Sequence, residues 1–389
     1  MDAVLTAMVE DKIGPGDQSK FLIQTAREKL KFDYSLALRS PAIALYLALK
    51  CLNPERGQGV IVSALSPLYY ARVLEDLGLV AVYSDVLSSA AYMDSGAIEK
   101  ALASKPEGLD VRCIVLHHTL GYLPDAASIT GIGLPVIEDC SQSYGTFMGD
   151  PSDTVPGDDN TAGNAAGGKS ALPKSDGSPG RELSAGNIVP AGSYGVFTIL
   201  GLEERDMLTS GGGALLYSAN RRDAAVLRNL GDIPPEYGLP DMNAALAVVQ
   251  FREAAKNLLK RREIARLYTQ SALRTRHKRF IQNEVTNPGH QSGKTPEGDE
   301  PEKWPVEYNN YAFPLILETG MKDVKAYARR KDIAVESAFE NTLVGNGMVP
   351  PERCPEAYSL SLRTALFPIY PRLRIADAEK VAKLILTLP

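Results

Sequence analysis

The chain has 389 residues, more than one hydrophobic core supports, so two domains are expected. Hydrophobic residues make up 44% and charged residues 23%, the balance of a globular protein and not of a disordered one. A net charge of -5 and a pI near 5.6 exclude the broad basic field that general nucleic-acid or anionic-membrane binding needs, while leaving room for a small ligand held locally.

Cys51, Cys113, Cys140 and Cys354 are scattered and show no metal-ligand spacing. They read as reduced thiols of a cytoplasmic protein, with no metal site. The opening MDAVLTAMVEDKIG lacks a basic start followed by an apolar core, so no signal peptide is expected. No apolar run is long enough for a bilayer.

From Ser40 the sequence reads SPAIALYLALKCL. Ser40 can cap a helix, Pro41 suits its first turn, and the apolar residues that follow predict a buried helix. GVIVSAL (59–65) is a β-branched strand, LYYARVLEDLG (68–78) a helix and VAVYSDV (80–86) a strand. AIEKALAS is helical, RCIVLHH a strand, and LPVIEDC a strand that ends in Glu138 and Asp139. Strands alternating with helices predict a largely parallel sheet, whose ligands bind at the carboxyl ends of the strands.

The stretch 148–193 has no aromatic residue and is rich in Gly, Pro, Ser, Asp and Asn. It cannot bury enough apolar surface to offset ordering entropy, so a mobile insertion is expected. Order resumes at SYGVFTIL, followed by the glycine cluster SGGG (210–213) and the strand ALLYS. Met242 to Leu273 predicts one long helix: apolar nearly all round at first, then amphipathic with Leu258, Leu259, Ile264, Leu267 and Tyr268 inward. A polar loop at about 280–305 follows. The remainder is α+β: a strand at YAFPLILE, a helix near MKDVKAYARRK, a strand at LRTALFPI and a closing helix at ADAEKVAKLILTL. The expected division is 1–250 for a large α/β domain and 251–389 for a smaller α+β one.

Five pieces carry a resemblance: PVIEDCSQSYGT (135–146), SYGVFT (193–198), LTSGGGALL (208–216), NAALAVVQF (243–251) and LFPIYPRLRIADAEKV (366–381). In order and spacing the chain resembles the DegT/DnrJ/EryC1/StrS family, sugar aminotransferases of fold type I that use pyridoxal phosphate (PLP). The resemblance runs from about Ile13 to the C-terminus, interrupted by the insertion. It implies a PLP-transferase-like large domain, a symmetric homodimer with the cleft at its interface, and substrates that are nucleotide-linked sugars. It also implies that Asp139 bonds the pyridine nitrogen, that Gln142 packs beside the ring, and that Thr198 and Ser40 face the phosphate. The alternative for Asp139 is a plain cap of the following turn. His118, in an HxxG pattern, reads as structural.

The chain departs from the family at the residue its chemistry needs most. Counting back from SGGG puts Arg205 at the position of the Schiff-base lysine, and counting forward from Thr198 puts Glu203 there. No lysine occurs between Lys174 and Lys256. Arginine stays protonated and offers no free amine to attack an aldehyde. Pro41 and Ala42 stand where the family has a glycine and a threonine at the phosphate, which removes a donor N–H and a hydroxyl. Pro67 replaces the stacking aromatic, with Tyr69 and Tyr70 close by. EYGLPDM (236–242) replaces a motif from which only Tyr237 survives.

Two readings follow. One is an aminotransferase-like protein without ordinary transamination, holding a sugar nucleotide or another metabolite, with any PLP or pyridoxamine phosphate (PMP) bound non-covalently. The other is an active PLP- or PMP-dependent sugar aminotransferase or dehydratase with a displaced base, for which Lys169 and Lys174 of the insertion are candidates. A nucleotide-binding module built on the SGGG turn is a third class, resting on glycines that are usually only a turn.

Overall fold

The structure is a computed structural model, and it describes residues 2–9, 13–149, 188–231, 233–281, 285–286 and 303–389. Most of the expected insertion, Lys169 and Lys174 included, and most of the polar loop lie outside the described residues. The ends of the insertion are paired: Phe147–Met148 and Val189–Pro190 form an antiparallel ladder.

The strands alternate with helices as the pattern requires, and they assemble into one seven-stranded sheet. Its order is Tyr34–Leu38, Ala214–Ser218, Phe197–Gly201, Val136–Asp139, Val111–His117, Gly59–Ser63, Val80–Ser84. All interior pairings from Phe197–Gly201 to Val80–Ser84 are parallel. Only Ala214–Ser218 runs against its neighbours. GVIVS, VIED and FTILG are buried at every position, as expected of central parallel strands covered on both faces. The edge strand Tyr34–Leu38 and the helices Asp17–Leu30, Arg221–Arg228 and Pro355–Arg363 are additions to the elements expected from sequence. The last of these shortens the expected strand LRTALFPI to Thr364–Phe367.

The helix after Ser40 runs Pro41–Cys51, capped as expected by Ser40 Oγ, which accepts from Ile43 N at 3.3 Å. The long helix spans Asp241–Ala272. Its first half places Ala244, Ala247, Val248 and Phe251 in a cluster with Leu22 and Ala26. Its second half places Ile264 and Tyr268 in another, with Leu315, Phe367 and Val381 of the C-terminal region. A boundary at 250/251 therefore falls inside a continuous helix that serves both clusters. Leu259, expected on the inward side, is 61% exposed. It lies about 100° round the helix from Leu258, off the stripe that Ile264 and Tyr268 define. Among the described residues, no helix is long and apolar enough to cross a membrane.

Asp241 does more than open the long helix. It is buried, and its carboxylate accepts from the backbone N–H groups of Gly16 (2.8 Å), Gln18 (3.1 Å) and Ser19 (2.9 Å). These are free donors at the start of the helix Asp17–Leu30, whose own N-cap residue is Gly16 and has no side chain to offer. Asp241→Ala should cost about 2 kcal/mol or more, because it strips a buried cap and leaves donors unpaired. Denaturant unfolding of the purified variant measures this, and a loss under about 0.5 kcal/mol would contradict the role assigned.

Candidate functional site

Parallel strands deliver their last residues to one rim of the sheet. In the register of Val111–His117 with Val136–Asp139, His117 stands beside Asp139, so both point to the same face. Glu138, one residue earlier, points to the other. There its Oε1 accepts from Tyr194 N (2.7 Å) and Gly195 N (2.5 Å), while Oε2 lies 3.2 Å from His118 Nε2. Burial alone would raise the Glu138 pKa, but His118 and the two N–H groups outweigh it and bring the carboxyl below its ordinary range. Glu138 and His118 tie the sheet to the turn before Phe197–Gly201, which is the structural role expected of His118.

Cys140 joins Glu138 and His118 to make a buried trio of metal-ligand types. The ring nitrogens divide it: Nδ1 faces Ser143 Oγ (2.9 Å) and Cys140 Sγ (3.6 Å), and Nε2 faces Glu138. Both ring nitrogens of His118, and Glu138 Oε1, already have protein partners.

Asp139 is fully buried and accepts four hydrogen bonds. Tyr69 and Tyr70 each donate a hydroxyl to Oδ2 at 2.8 Å. Ser141 donates its N–H (3.1 Å) and its hydroxyl (2.5 Å) to Oδ1. Burial, and then the Asp139 charge, push both tyrosine pKa values well up, so the two hydroxyls stay protonated donors. The turn-cap role weighed for Asp139 is present in the Ser141 bonds, and the two tyrosines add a second, unforeseen set.

Asp139 lies on the wall of a cavity of about 260 Å³, together with Tyr69, His117, Gln142, Asp206 and Tyr311. Glu203 and Arg205, the two candidates for the lysine position, are on the wall as well. The Arg205 guanidinium, 71% exposed, turns outward to Glu336 at 2.7 Å, where an open outer groove containing Lys325 meets the cavity. The charged end of Arg205 therefore lies outside the cavity.

Gln142 Oε1 accepts from Leu120 N (2.6 Å), holding a peptide whose φ is positive (56°). Ser40 and Thr198 lie off the wall. Ser40 is spent on its helix cap, and Thr198 Oγ1 donates to the Gly192 carbonyl at 2.9 Å inside the core.

Asp206 is the residue that sequence reasoning missed. Nothing in EERDM marks it; it gains meaning because the loop after Gly201 folds back over the sheet. One carboxylate oxygen accepts from Glu203 N at 2.8 Å, and the other has no partner among the described residues. A Cβ on Gly201 would collide with this carboxylate, so glycine there allows the close approach. Burial, and then the charges of Asp139 and Glu203, push the Asp206 pKa up to about 8. Burial pushes His117 down, leaving it neutral, with Nδ1 against Thr119 Oγ1 at 3.1 Å.

This fold is shared with solved aminotransferases. Residues 1–164 match the model of the DegT/DnrJ/EryC1/StrS aminotransferase family. That match covers less than half of the chain. Across its whole length it is similar to a DegT DnrJ EryC1 StrS aminotransferase from Brucella abortus, with a TM-score of 0.76, 19% identity, and coverage of 99% of this chain and 93% of that one. It is similar to the sugar aminotransferase Spr1654 of Streptococcus pneumoniae in its PLP form, with a TM-score of 0.75, 16% identity and coverage of 99% and 94%. It is also similar to DesV of S. venezuelae in complex with a ketimine intermediate, with a TM-score of 0.74, 17% identity and coverage of 99% and 92%. At these identities the likeness establishes the fold, α/β with a large mostly parallel sheet.

Asp206 gives a signed pH dependence. A carboxyl raised from its ordinary value of 3.8 to about 8 holds a proton in the folded chain that the unfolded chain has lost. Stability from this group is therefore full below about pH 4, falls between pH 4 and 8, and is level above. Asp206→Asn should remove that fall, so the variant melts higher than the parent at pH 9 and within error of it at pH 4. Melting curves across that range check it; an unchanged slope would remove Asp206 as the titrating group.

Proposed function

We propose that this relative of the sugar aminotransferases holds a small molecule in the Asp139 cavity and does not carry out ordinary transamination. The observation that carries the reading is the saturation of Asp139. In the family resemblance this carboxylate takes the pyridine nitrogen of PLP. Here the four lone-pair sites of its two oxygens accept from Tyr69, Tyr70 and Ser141. A pyridinium would have to displace a tyrosine and leave a buried hydroxyl unpaired, at a cost of about 1–3 kcal/mol.

The rest of the wall agrees. No lysine lines the cavity among the described residues, and Pro41 offers no N–H where a phosphate would need one. Ser40 and Thr198 use their hydroxyls elsewhere. The residues present do not fit the cofactor that the PLP and PMP forms of Spr1654 are named for. Such a cofactor, if held at all, would be held without a covalent bond.

The family resemblance points to a metabolite such as a nucleotide sugar as the ligand, to a symmetric homodimer and to two domains divided near 250, and the reduced cysteines support a cytoplasmic setting. The deciding experiment adds PLP to the purified protein, reads visible absorbance before and after borohydride, and maps any reduced adduct by mass spectrometry. No shifted band and no adduct at one site is the expected result. A stoichiometric adduct on a single lysine, whether Lys169, Lys174 or Lys325, would overturn the reading in favour of an enzyme with a displaced base. Tyr70→Phe should lower stability by about 1–3 kcal/mol, because it takes a donor from a buried carboxylate. Denaturant unfolding measures this, and an unchanged midpoint would show that Asp139 does not depend on that donor.

A further inference from the structure

The charges on the cavity wall identify the kind of ligand it takes. Its acids are Asp139, Glu203 and Asp206. The permanent cation among the described wall residues, Arg205, points its guanidinium away and is paired with Glu336. Asp139 is satisfied within the protein, but one oxygen of Asp206 is not.

A second, independent group also lacks a partner. His117 is 3% exposed and lines the cavity, and of its two ring nitrogens only Nδ1 has a partner among the described residues, Thr119 Oγ1. When Nδ1 carries the proton and donates to that hydroxyl, Nε2 is left as an acceptor. Two acceptors without a protein partner among the described residues thus share one cavity wall. The rings of Tyr69 and Tyr311 stand on the same wall.

We propose that the inner cavity binds a cationic amine, its ammonium donating to Asp206, with His117 Nε2 a further acceptor on the same wall, and that it excludes phosphate. This rests on the reading of the cavity as a ligand site. An ammonium carries three donors and no acceptor, the complement of a wall with acceptors to spare. Aromatic faces add attraction for a cation and none for an anion. A phosphate would meet Asp139 and Glu203 with no inward cation to offset them, in a space where repulsion is poorly screened.

Proton release is a consequence. Below about pH 8 Asp206 is protonated in the free protein, and a cation beside it favours the ionised form. The groups that face Asp206 are Asp139 at the strand end, Glu203 on its own loop, Tyr69 on the helix above and Tyr311 from the C-terminal region. None supplies the positive charge that the ligand would bring. Binding at pH 7 should then release close to ~1 proton, and affinity should rise with pH until about 8.

Three probes of one size and different charge test this by calorimetry on the full-length protein: benzylammonium, benzyl alcohol and benzoate. Benzylammonium should bind about tenfold or more tighter than benzyl alcohol, and benzoate should not bind. Titration at pH 7 in two buffers of different ionisation enthalpy should reveal the released proton. In Asp206→Asn the preference for the amine and the proton release should both vanish, and Glu203→Gln should weaken the preference without ending the release. Benzoate binding as well as or better than benzylammonium would overturn the inference while leaving a ligand site in place. No binding by any probe would overturn both. An amine preference undiminished in Asp206→Asn would place the binding elsewhere and overturn it too. A PLP adduct in the absorbance experiment bears on the absence of transamination alone.

Discussion

The site depends on one buried carboxylate. Asp139 stands at the end of a central strand, out of water, where an uncompensated charge would be very costly. Four hydrogen bonds from Tyr69, Tyr70 and Ser141 meet that cost. In doing so they fix the start of the helix Tyr69–Leu77 against the strand and set the turn that leads on to Gln142. They also occupy all four lone-pair sites of the carboxylate within the protein, which is the basis of the function proposed above.

The remaining departures from the family pattern fall around this one. Arg205 leaves the cavity for Glu336, Thr198 turns into the core, and Ser40 caps its own helix. What is left on the wall is a set of acids that repel one another. Asp206 responds most: burial, and then the charges of Asp139 and Glu203, raise its carboxyl to about 8. A cavity arranged for a dianionic phosphate would be expected to gather donors and positive charge; the side chains on this wall include three carboxyls, with the Arg205 guanidinium turned to Glu336. The fold of an aminotransferase is kept, and fold alone does not settle what its cleft does.

Most of the architecture was legible in the residues. The β-branched runs gave the parallel strands, Ser40 and Pro41 marked a helix start, and the change of pattern along 242–273 foretold a helix serving two clusters. The elements that went unread are those with weak local signals. YSLAL is an edge strand whose alternation is irregular, and PEAYSLSLR is a short helix abutting a strand with no turn residue between them. Leu259 was misplaced because a helical stripe is about 100° wide and its centre depends on the partner surface.

The sequence by itself determined the family resemblance, the absence of a lysine between Lys174 and Lys256, and the presence of Asp139 and Gln142 in a recognisable segment. These are matters of residue identity and order. Only the tertiary structure decided what those residues do. It brought the hydroxyls of Tyr69 and Tyr70 onto a carboxylate some seventy positions away, sent Arg205 outward, and put the unmarked Asp206 on the same cavity wall as His117. The physical reason is that hydrogen-bond saturation and local charge are properties of space. They depend on which donors reach a given oxygen, and that is fixed only when distant segments pack.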